Sequence, residues 1–163
     1  IGARNMHDYA LLKKISQRHP LKPVLLKRGF AASKKELLGA IGYLKNGGHE
    51  AEILVCERGI KTFAKGEYDR FTLDLNLVAD LKNDKHFPYR VIVDPSHSSG
   101  RADLVERMAY AGLAAGADGL MVEVSIEPYL SRAQSDRAQH ITPDILSRIK
   151  SNVMLHNLSG LYS

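Results

Sequence analysis

The sequence predicts an α/β fold built on a parallel β-sheet. Four short apolar segments recur every ~30–40 residues, and a helical pattern follows each, which is the spacing of strand–helix–strand units. The segments are apolar throughout rather than alternately apolar and polar, as is typical of strands covered on both faces. Because strands joined through helices run in the same direction, we expect the sheet to be parallel and buried.

The first two strands and their helices follow from capping residues and apolar runs. We expect Asn5 to begin the first helix, because an asparagine side chain accepts the unpaired N–H groups of a first turn. Residues 23–26 predict the first strand, and the capping box of Ser33 and Glu36 begins the helix that follows it. Residues 52–56 predict the second strand.

The same alternation continues through the second half of the chain. Asp74 is placed to cap a third helix, and residues 90–93 predict the third strand. A helical apolar pattern at 102–115 precedes the fourth predicted strand, residues 119–122, and Pro143 begins the last helix.

The organisation is that of one domain, residues 1–150, followed by a C-terminal tail, residues 151–163. A chain of 163 residues is too short for a closed eight-stranded β/α barrel, which needs at least ~200 residues. The first residue is Ile1 rather than Met, and no signal-like segment follows it. We therefore expect that upstream sequence has been removed or is not included.

Composition narrows the class of protein. Hydrophobic residues make up 44% and charged residues 25% of the chain, as in soluble globular domains. No apolar run approaches the ~20 residues of a membrane span, and the single cysteine excludes an internal disulfide framework and fits the reducing cytoplasm. The net charge of +5 suits small anionic substrates, although a solvated basic surface explains it equally well. Aromatic residues are only 7% and do not alternate with basic ones, so nucleic acid is not an expected partner.

Every predicted strand ends in charged or metal-competent residues. A solvated loop charge explains any one of them, but the recurrence favours a site, since parallel α/β folds build their sites at these ends. Lys27 and Arg58 are cations that follow strands, and the opening fragment of the chain ends in a third cation, Arg4. Guanidinium and ammonium groups together match an anion that carries both phosphate and carboxylate.

A second set combines one imidazole with two carboxylates. His97 follows the third predicted strand, Glu123 follows the fourth, and Asp136 lies in the polar stretch beyond it. Such ligands suit a divalent metal of borderline hardness, such as Mn, Fe, Co or Zn. Taken singly, His97 also fits a hydrogen-bonded loop histidine, and Asp136 fits a turn or a helix cap. We interpret Cys56 as a buried structural residue and the other six histidines as surface residues.

Five motifs occur in a definite order along the chain. They are Ile-Gly-Ala-Arg-Asn at 1–5, Lys-Pro-Val-Leu-Leu-Lys-Arg-Gly at 22–29, Glu-Arg-Gly-Ile at 57–60, Asp-Pro-Ser-His at 94–97 with Gly-Arg at 100–101, and Ala-Asp-Gly-Leu-Met-Val-Glu-Val at 117–124. Together they resemble 3-deoxy-D-arabino-heptulosonate 7-phosphate (DAHP) synthases, which open the shikimate pathway of aromatic amino acid biosynthesis. The likeness is to the compact branch related to 3-deoxy-octulosonate 8-phosphate synthases.

The resemblance implies a TIM-type (β/α)8 barrel enzyme of which this chain is the C-terminal part, from the end of the fourth strand through strands five to eight. An open half-barrel exposes sheet edges and one apolar face. We therefore expect completion by missing chain, by another polypeptide or by self-association into a homo-oligomer. A small doubly wound sheet is the rival fold.

The resemblance also implies a reaction, the condensation of phosphoenolpyruvate with the aldose phosphate erythrose 4-phosphate. By position, Arg4, Lys27 and Arg58 would bind phosphoenolpyruvate, and Lys27 and His97 would be catalytic. The implied metal ligands, three of four, are His97, Glu123 and Asp136.

Two other functions stay open. An octulosonate-type synthase would take arabinose 5-phosphate as acceptor, although the motifs at 22–29 and 94–97 favour the DAHP class. A non-catalytic module would bind an anion or a partner without turnover. This alternative is supported by the absence of the family's cysteine ligand and Lys-Pro-Arg-Thr motif from this sequence, and by Ser125, which stands where the family usually has histidine.

Overall fold

The computed structural model describes residues 1–63, 71–126 and 137–159. Four parallel strands form one sheet in the order in which they occur along the chain, each paired with the next. This arrangement confirms the predicted α/β fold with a parallel sheet. The strands are β1 (Val24–Lys27), β2 (Ile53–Glu57), β3 (Arg90–Val93) and β4 (Gly119–Leu120).

The helices of the described residues connect and flank these strands. They are α1 (Tyr9–Arg18), α2 (Lys34–Asn46), α3 (Leu75–Asn83), α4 (Pro95–Ser99), α5 (Ala102–Ala114) and α6 (Pro143–Ser159). The prediction that Asn5 caps α1 is wrong, because Asn5 ends a 3-10 turn and Asp8 accepts the backbone N–H of Leu11 at 3.0 Å instead. The turn lets the fully buried Met6 enter the core before the helix starts.

The caps predicted for α2 and α3 are confirmed. The backbone N–H of Glu36 donates to the Ser33 hydroxyl at 3.2 Å, and the Glu36 carboxylate accepts the N–H of Ser33 at 2.8 Å. Asp74 accepts the N–H of Leu77 at 3.1 Å. These short-range bonds fix where both helices begin and therefore how long the preceding loops are.

One face of the sheet packs against the helices. Leu26 and Val55 are at most 1% exposed and belong to the same buried cluster as Leu37 of α2. The helix α5 approaches β3 so closely that a Cβ at Gly112 would lie 2.8 Å from a methyl carbon of Val93. Only glycine therefore fits at this crossing.

The other face of the sheet is apolar but less covered. Leu25, Leu54 and Ile92 alternate with the buried strand residues and so point to the opposite face. All three are only partly buried. The sequence predicts a sheet covered on both faces. The structure confirms this for the face that packs against the helices, whereas the described residues only partly cover the apolar side chains of the second face.

Ile1 lies alongside the free edge of β1. Its amino group donates to the carbonyl of Leu25 at 2.7 Å, and its carbonyl accepts the N–H of Lys27 at 3.0 Å. This is the hydrogen-bond pattern of a parallel strand pair. The strands thus follow one another in a single direction across the sheet, which contradicts the rival doubly wound fold, whose strand order reverses.

The C-terminal part departs from the predicted bounds. β4 ends at Leu120 rather than at the predicted residue 122. The N–H of Met121 still donates to the carbonyl of Val93 at 2.9 Å, and the N–H of Glu123 donates to the Ser96 hydroxyl at 2.9 Å. The helix α6 begins at the predicted Pro143 and ends at Ser159. No helix of the described ranges is long and apolar enough to cross a membrane.

Candidate active site at the carboxyl ends of the strands

The polar residues that follow the strands meet at one edge of the sheet. Lys27 ends β1, Arg58 follows β2, Asp94 follows β3, and Glu123 lies just beyond β4. The strands are parallel, so their carboxyl ends lie on the same side. The structure therefore brings together most of the residues that the sequence singles out.

Four side chains form a continuous chain of polar contacts across this edge. Lys27 Nζ lies 3.3 Å from Asp94 Oδ2, which lies 2.7 Å from His97 Nδ1. The other ring nitrogen, His97 Nε2, lies 3.4 Å from Glu123 Oε1. The predicted cation Lys27 and the predicted metal ligands His97 and Glu123 thus belong to one connected site.

Asp94 is the centre of this chain, and the sequence gives it no role of its own. It caps the short helix α4, which the sequence analysis missed, by accepting the N–H of His97 at 3.0 Å. Its side chain is fully buried. Burial alone raises the pKa of Asp94, but the hydrogen bonds and charge of His97 and the charge of Lys27 outweigh it and hold that pKa below its usual range. Asp94 is therefore an anion at neutral pH.

His97 and Glu123 fit two ligands of a divalent metal. Asp94 binds the Nδ1 side of the imidazole, so Nε2 is directed at the Glu123 carboxylate. A carboxylate behind a histidine fixes the ring and its tautomer in many metal sites. The third predicted ligand, Asp136, lies outside the described residues, and no cluster of three or more metal-competent side chains occurs within them.

The second oxygen of Glu123 has two neighbours that the sequence analysis missed. Gln139 Nε2 donates to Glu123 Oε2 at 2.8 Å, and His140 Nε2 lies 3.4 Å from the same oxygen. Pairing of the following residue, Ile141, with the backbone of Glu123 places them there. The prediction that His140 is a surface residue is wrong, since its side chain is only 13% exposed, and it is also wrong for His49, which is 2% exposed.

Two of the three predicted cations meet over an aromatic ring. The guanidinium carbons of Arg4 and Arg58 lie 5.5 and 5.0 Å from the centre of the Phe30 ring. Lys61 Nζ lies 5.9 Å from the same centre. The Phe71 ring stacks on Phe30 with centres 4.9 Å apart. Aromatic residues at these positions carry no sequence signal for an anion site, so neither Phe30 nor Phe71 is predictable from the strand-end pattern.

Arg28 and Glu57, two charged residues at strand ends, form an ion pair with each other. Arg28 Nη1 lies 2.9 Å from Glu57 Oε2 and 2.7 Å from Asp74 Oδ2. Burial raises the pKa of the Glu57 carboxyl, although bonds from Arg28 and from the N–H groups of Gly59 and Asp74 oppose this. This buried cluster ties the loop after β1 to the loop after β2 and so positions the adjacent Lys27 and Arg58.

Cys56 is a buried side chain of β2. It is fully buried, and burial raises the pKa of its thiol to about 12. A thiol with such a pKa is not an activated nucleophile at neutral pH. The structure therefore confirms the structural interpretation of Cys56.

The sequence is similar to one protein-family model and to curated proteins that are named as aldolases. Residues 1–157 match the model of the DAHP synthetase I family. A phospho-2-dehydro-3-deoxyheptonate aldolase of Thermotoga maritima is 42% identical over 149 residues, which cover 91% of this chain and 41% of that protein. A 2-dehydro-3-deoxyphosphooctonate aldolase of Desulfotalea psychrophila is 31% identical over 118 residues, which cover 66% of this chain and 39% of that protein.

Solved structures give the same result. The crystal structure of the Thermotoga maritima phospho-2-dehydro-3-deoxyheptonate aldolase (DAHP synthase) superposes with a TM-score of 0.86 at 40% identity, covering 99% of this chain and 44% of that one. A truncated form of the 3-deoxy-D-arabino-heptulosonate 7-phosphate synthase from Thermotoga maritima superposes with a TM-score of 0.85, covering 98% of this chain and 58% of that one. The chain spans less than half the length of the curated relatives it matches. The family match across residues 1–157 and the identity to these relatives show that the chain belongs to the DAHP synthetase I family.

Proposed function

We propose that the protein catalyses condensation of phosphoenolpyruvate with erythrose 4-phosphate, giving DAHP and inorganic phosphate. The observation that carries the proposal is the contact chain Lys27–Asp94–His97–Glu123, which joins a cation set to a pair of metal-competent side chains. A relative named phospho-2-dehydro-3-deoxyheptonate aldolase is 42% identical to the chain, against 31% for one named 2-dehydro-3-deoxyphosphooctonate aldolase. This difference favours the four-carbon acceptor over arabinose 5-phosphate.

Arg4, Lys27 and Arg58 are assigned to phosphoenolpyruvate. Arginine forks bind phosphate and carboxylate through paired hydrogen bonds, and lysine adds a point charge. Arg58 is 5% exposed, so little water competes with an anion beside it. In the reaction, the C2=C3 electron pair of phosphoenolpyruvate forms a bond from C3 to the aldehyde carbon, and the aldehyde oxygen takes up a proton. Water adds to the cationic C2 and releases a proton, and the C2–O bond to phosphate then breaks to leave the C2 ketone and inorganic phosphate. The three cations stabilise the charge of the departing phosphate.

His97 and Glu123, with Asp136 as a third ligand, are assigned to a divalent metal such as Mn, Fe, Co or Zn. When bound, the metal acts as a Lewis acid on the aldehyde of the second substrate. Asp94 keeps the His97 ring oriented, since it bonds both Nδ1 and the backbone N–H of that residue. Lys27 contacts Asp94, which bonds His97, so it links the cation set to the metal ligands that we assign.

The chain is assigned to the C-terminal part of a TIM-type barrel, from the end of strand four through strand eight. Ile1 pairs with β1 as the end of a preceding parallel strand does. The partly buried apolar face of Leu25, Leu54 and Ile92 is the face that would line the interior of such a barrel. Further chain or a second copy of this one would cover that face and pair with the outer edges of the sheet, beside Ile1 and beside β4.

A product assay tests the function. The purified protein is given phosphoenolpyruvate with either erythrose 4-phosphate or arabinose 5-phosphate, with and without Mn²⁺, and products are followed by mass spectrometry beside released phosphate. We expect DAHP and an equal amount of phosphate only with erythrose 4-phosphate and metal. A product from arabinose 5-phosphate alone would assign the octulosonate reaction instead. Binding of phosphoenolpyruvate without any product would identify a non-catalytic module.

A further inference from the structure

Three cations from two segments of the chain, the turn before α1 and the loop after β2, surround one aromatic ring at the strand ends. Arg4, which precedes α1, and Arg58, which follows β2, lie 5.5 and 5.0 Å from the centre of Phe30. Lys61 Nζ lies 5.9 Å from it. Like charges at such spacing repel each other, and the electron-rich face of an aromatic ring is one of the few neutral groups that offsets this repulsion.

The ring is held in place by the backbone and by a second ring. The N–H of Lys61 donates to the carbonyl of Phe30 at 2.7 Å, which fastens the loop after β2 to the loop after β1. Ile60 and Thr72 exchange two backbone hydrogen bonds of 2.9 Å, and this pairing brings Phe71 back over Phe30. The Phe71 ring also lies 4.5 Å from the guanidinium carbon of Arg58.

A glycine makes this arrangement possible. Gly59 has a φ of +97°, and a Cβ there would lie 2.7 Å from the Cβ of Phe71 and 2.9 Å from the Cβ of Ser98. The backbone between Arg58 and Ile60 is therefore packed directly against the aromatic pair and against α4. Any side chain at this position would push Phe71 away from Arg58.

We propose that Phe30 is a positioning residue that gathers Arg4, Arg58 and Lys61 into one binding site for a phosphate group, with Lys61 as a cation of that site. The inference rests on the proposed function, because it names the group that holds the phosphoenolpyruvate-binding arginines in place. A flat guanidinium that stacks on a ring keeps its edge N–H groups pointing outward, where they are available to phosphate oxygens. Phe30 therefore raises anion affinity without contacting the anion.

The test compares ligand affinities in ring-removing and ring-retaining variants. Dissociation constants for phosphoenolpyruvate, inorganic phosphate and Mn²⁺ are measured by calorimetry on the purified protein, with thermal unfolding beside them. We expect Phe30→Leu and Phe30→Met to raise the dissociation constants of phosphoenolpyruvate and phosphate about tenfold and to leave Mn²⁺ affinity unchanged. Phe30→Tyr keeps a ring and should bind both anions within about twofold of the wild type. Lys61→Ala should weaken phosphate about three- to tenfold.

Phe87→Leu is the matched control. Phe87 contacts Tyr89 with ring centres 5.3 Å apart, and it precedes β3, at the opposite end of the sheet. The same loss of an aromatic ring there should leave anion affinity unchanged.

The outcomes separate this inference from the function on which it rests. If the wild type binds neither phosphoenolpyruvate nor phosphate, both are overturned. If the wild type binds them and Phe30→Leu binds them equally well, the positioning role of Phe30 is wrong and the function stands. Loss of folding in both ring-less variants would make Phe30 a core side chain and would also end the positioning role. Unchanged phosphate affinity in Lys61→Ala would remove Lys61 from the site.

Discussion

Asp94 holds His97 at two points. One carboxylate oxygen accepts the backbone N–H of His97 at 3.0 Å, and the other lies 2.7 Å from the ring nitrogen Nδ1. A single buried carboxylate therefore fixes both the main chain and the side chain of the residue that we assign to the metal. It also contacts Lys27, so the same group sets the relative position of the anion site and the metal site.

Asp94→Asn should weaken metal binding while keeping the cap of α4. The amide oxygen still accepts the N–H of His97, but the amide N–H₂ replaces the oxygen that faces Nδ1. Nδ1 then becomes the acceptor and the proton moves to Nε2, the nitrogen that the metal needs. We expect Mn²⁺ affinity to fall about 10- to 100-fold, measured by calorimetry.

Asp118→Asn is the control for that substitution. Asp118 bonds Lys82 and the N–H of Val91 at the amino end of the sheet, away from His97. It should leave Mn²⁺ affinity unchanged. Equal Mn²⁺ affinity in Asp94→Asn and the wild type would show that Asp94 does not orient a metal ligand.

Arg28→Ala should destabilise the fold strongly. The change leaves the Glu57 carboxylate, which is 1% exposed, without the guanidinium that lies 2.9 Å away. Breaking a buried ion pair from one side costs about 3–5 kcal/mol of unfolding free energy, which urea denaturation measures. Arg90→Ala is the matched control, because its partner Glu52 and Arg90 itself are exposed, and it should cost at most ~1 kcal/mol. Equal losses in the two variants would contradict the buried role of Arg28.

The loss of stability in Arg28→Ala should grow as the pH rises. Burial raises the pKa of Glu57 in the folded protein, and Arg28 is the side chain that opposes the rise. When the pKa of a carboxyl is higher in the folded than in the unfolded protein, the folding stability falls as the pH rises from the unfolded-state pKa to the folded-state pKa. Loss of Arg28 raises the folded pKa further, so the stability difference from the wild type should be larger at about pH 8 than at about pH 5. A difference that shrinks with pH would contradict the direction of this shift.

Cys56 should resist alkylation in the folded protein. It is fully buried, and its thiol pKa of about 12 leaves almost no thiolate at pH 8. Iodoacetamide at about pH 8 should leave the native protein unmodified and modify the urea-unfolded protein completely, as mass spectrometry reports. Rapid modification of the native protein would require an open or activated Cys56.

The sequence is informative where a structure depends on neighbouring residues. The caps Ser33 and Asp74 act over three or four positions, so a short pattern predicts them. Asn5 and Asp8 are both good caps, and the choice between them depends on burial of Met6, which no local pattern reveals.

Some residues of the candidate site are predictable from the sequence and others are not. Residues at strand ends were predictable because parallel strands end on one side, and Lys27, His97 and Glu123 are brought together as expected. Phe30 and His140 were not predictable, since each reaches the site through backbone pairing with a segment distant in sequence.

Lys27→Ala should weaken phosphoenolpyruvate binding and spare the metal. A charge-assisted hydrogen bond contributes ~1.5–3 kcal/mol, so we expect a roughly 10- to 100-fold rise in the dissociation constant. Lys22→Ala removes an equal charge from an exposed position before β1 and is the control, which should change affinity little. Unchanged affinity in Lys27→Ala would exclude Lys27 from the anion site.

The most direct test of the account is the metal content of His97→Ala, measured by elemental analysis beside its phosphoenolpyruvate affinity and thermal unfolding. We expect loss of bound metal, a folded protein and retained phosphoenolpyruvate binding, because His97 lies at a strand end outside the packed core and is linked to Lys27 through Asp94. Full metal occupancy in folded His97→Ala would contradict the metal site, and collapse of the fold would show that His97 is structural.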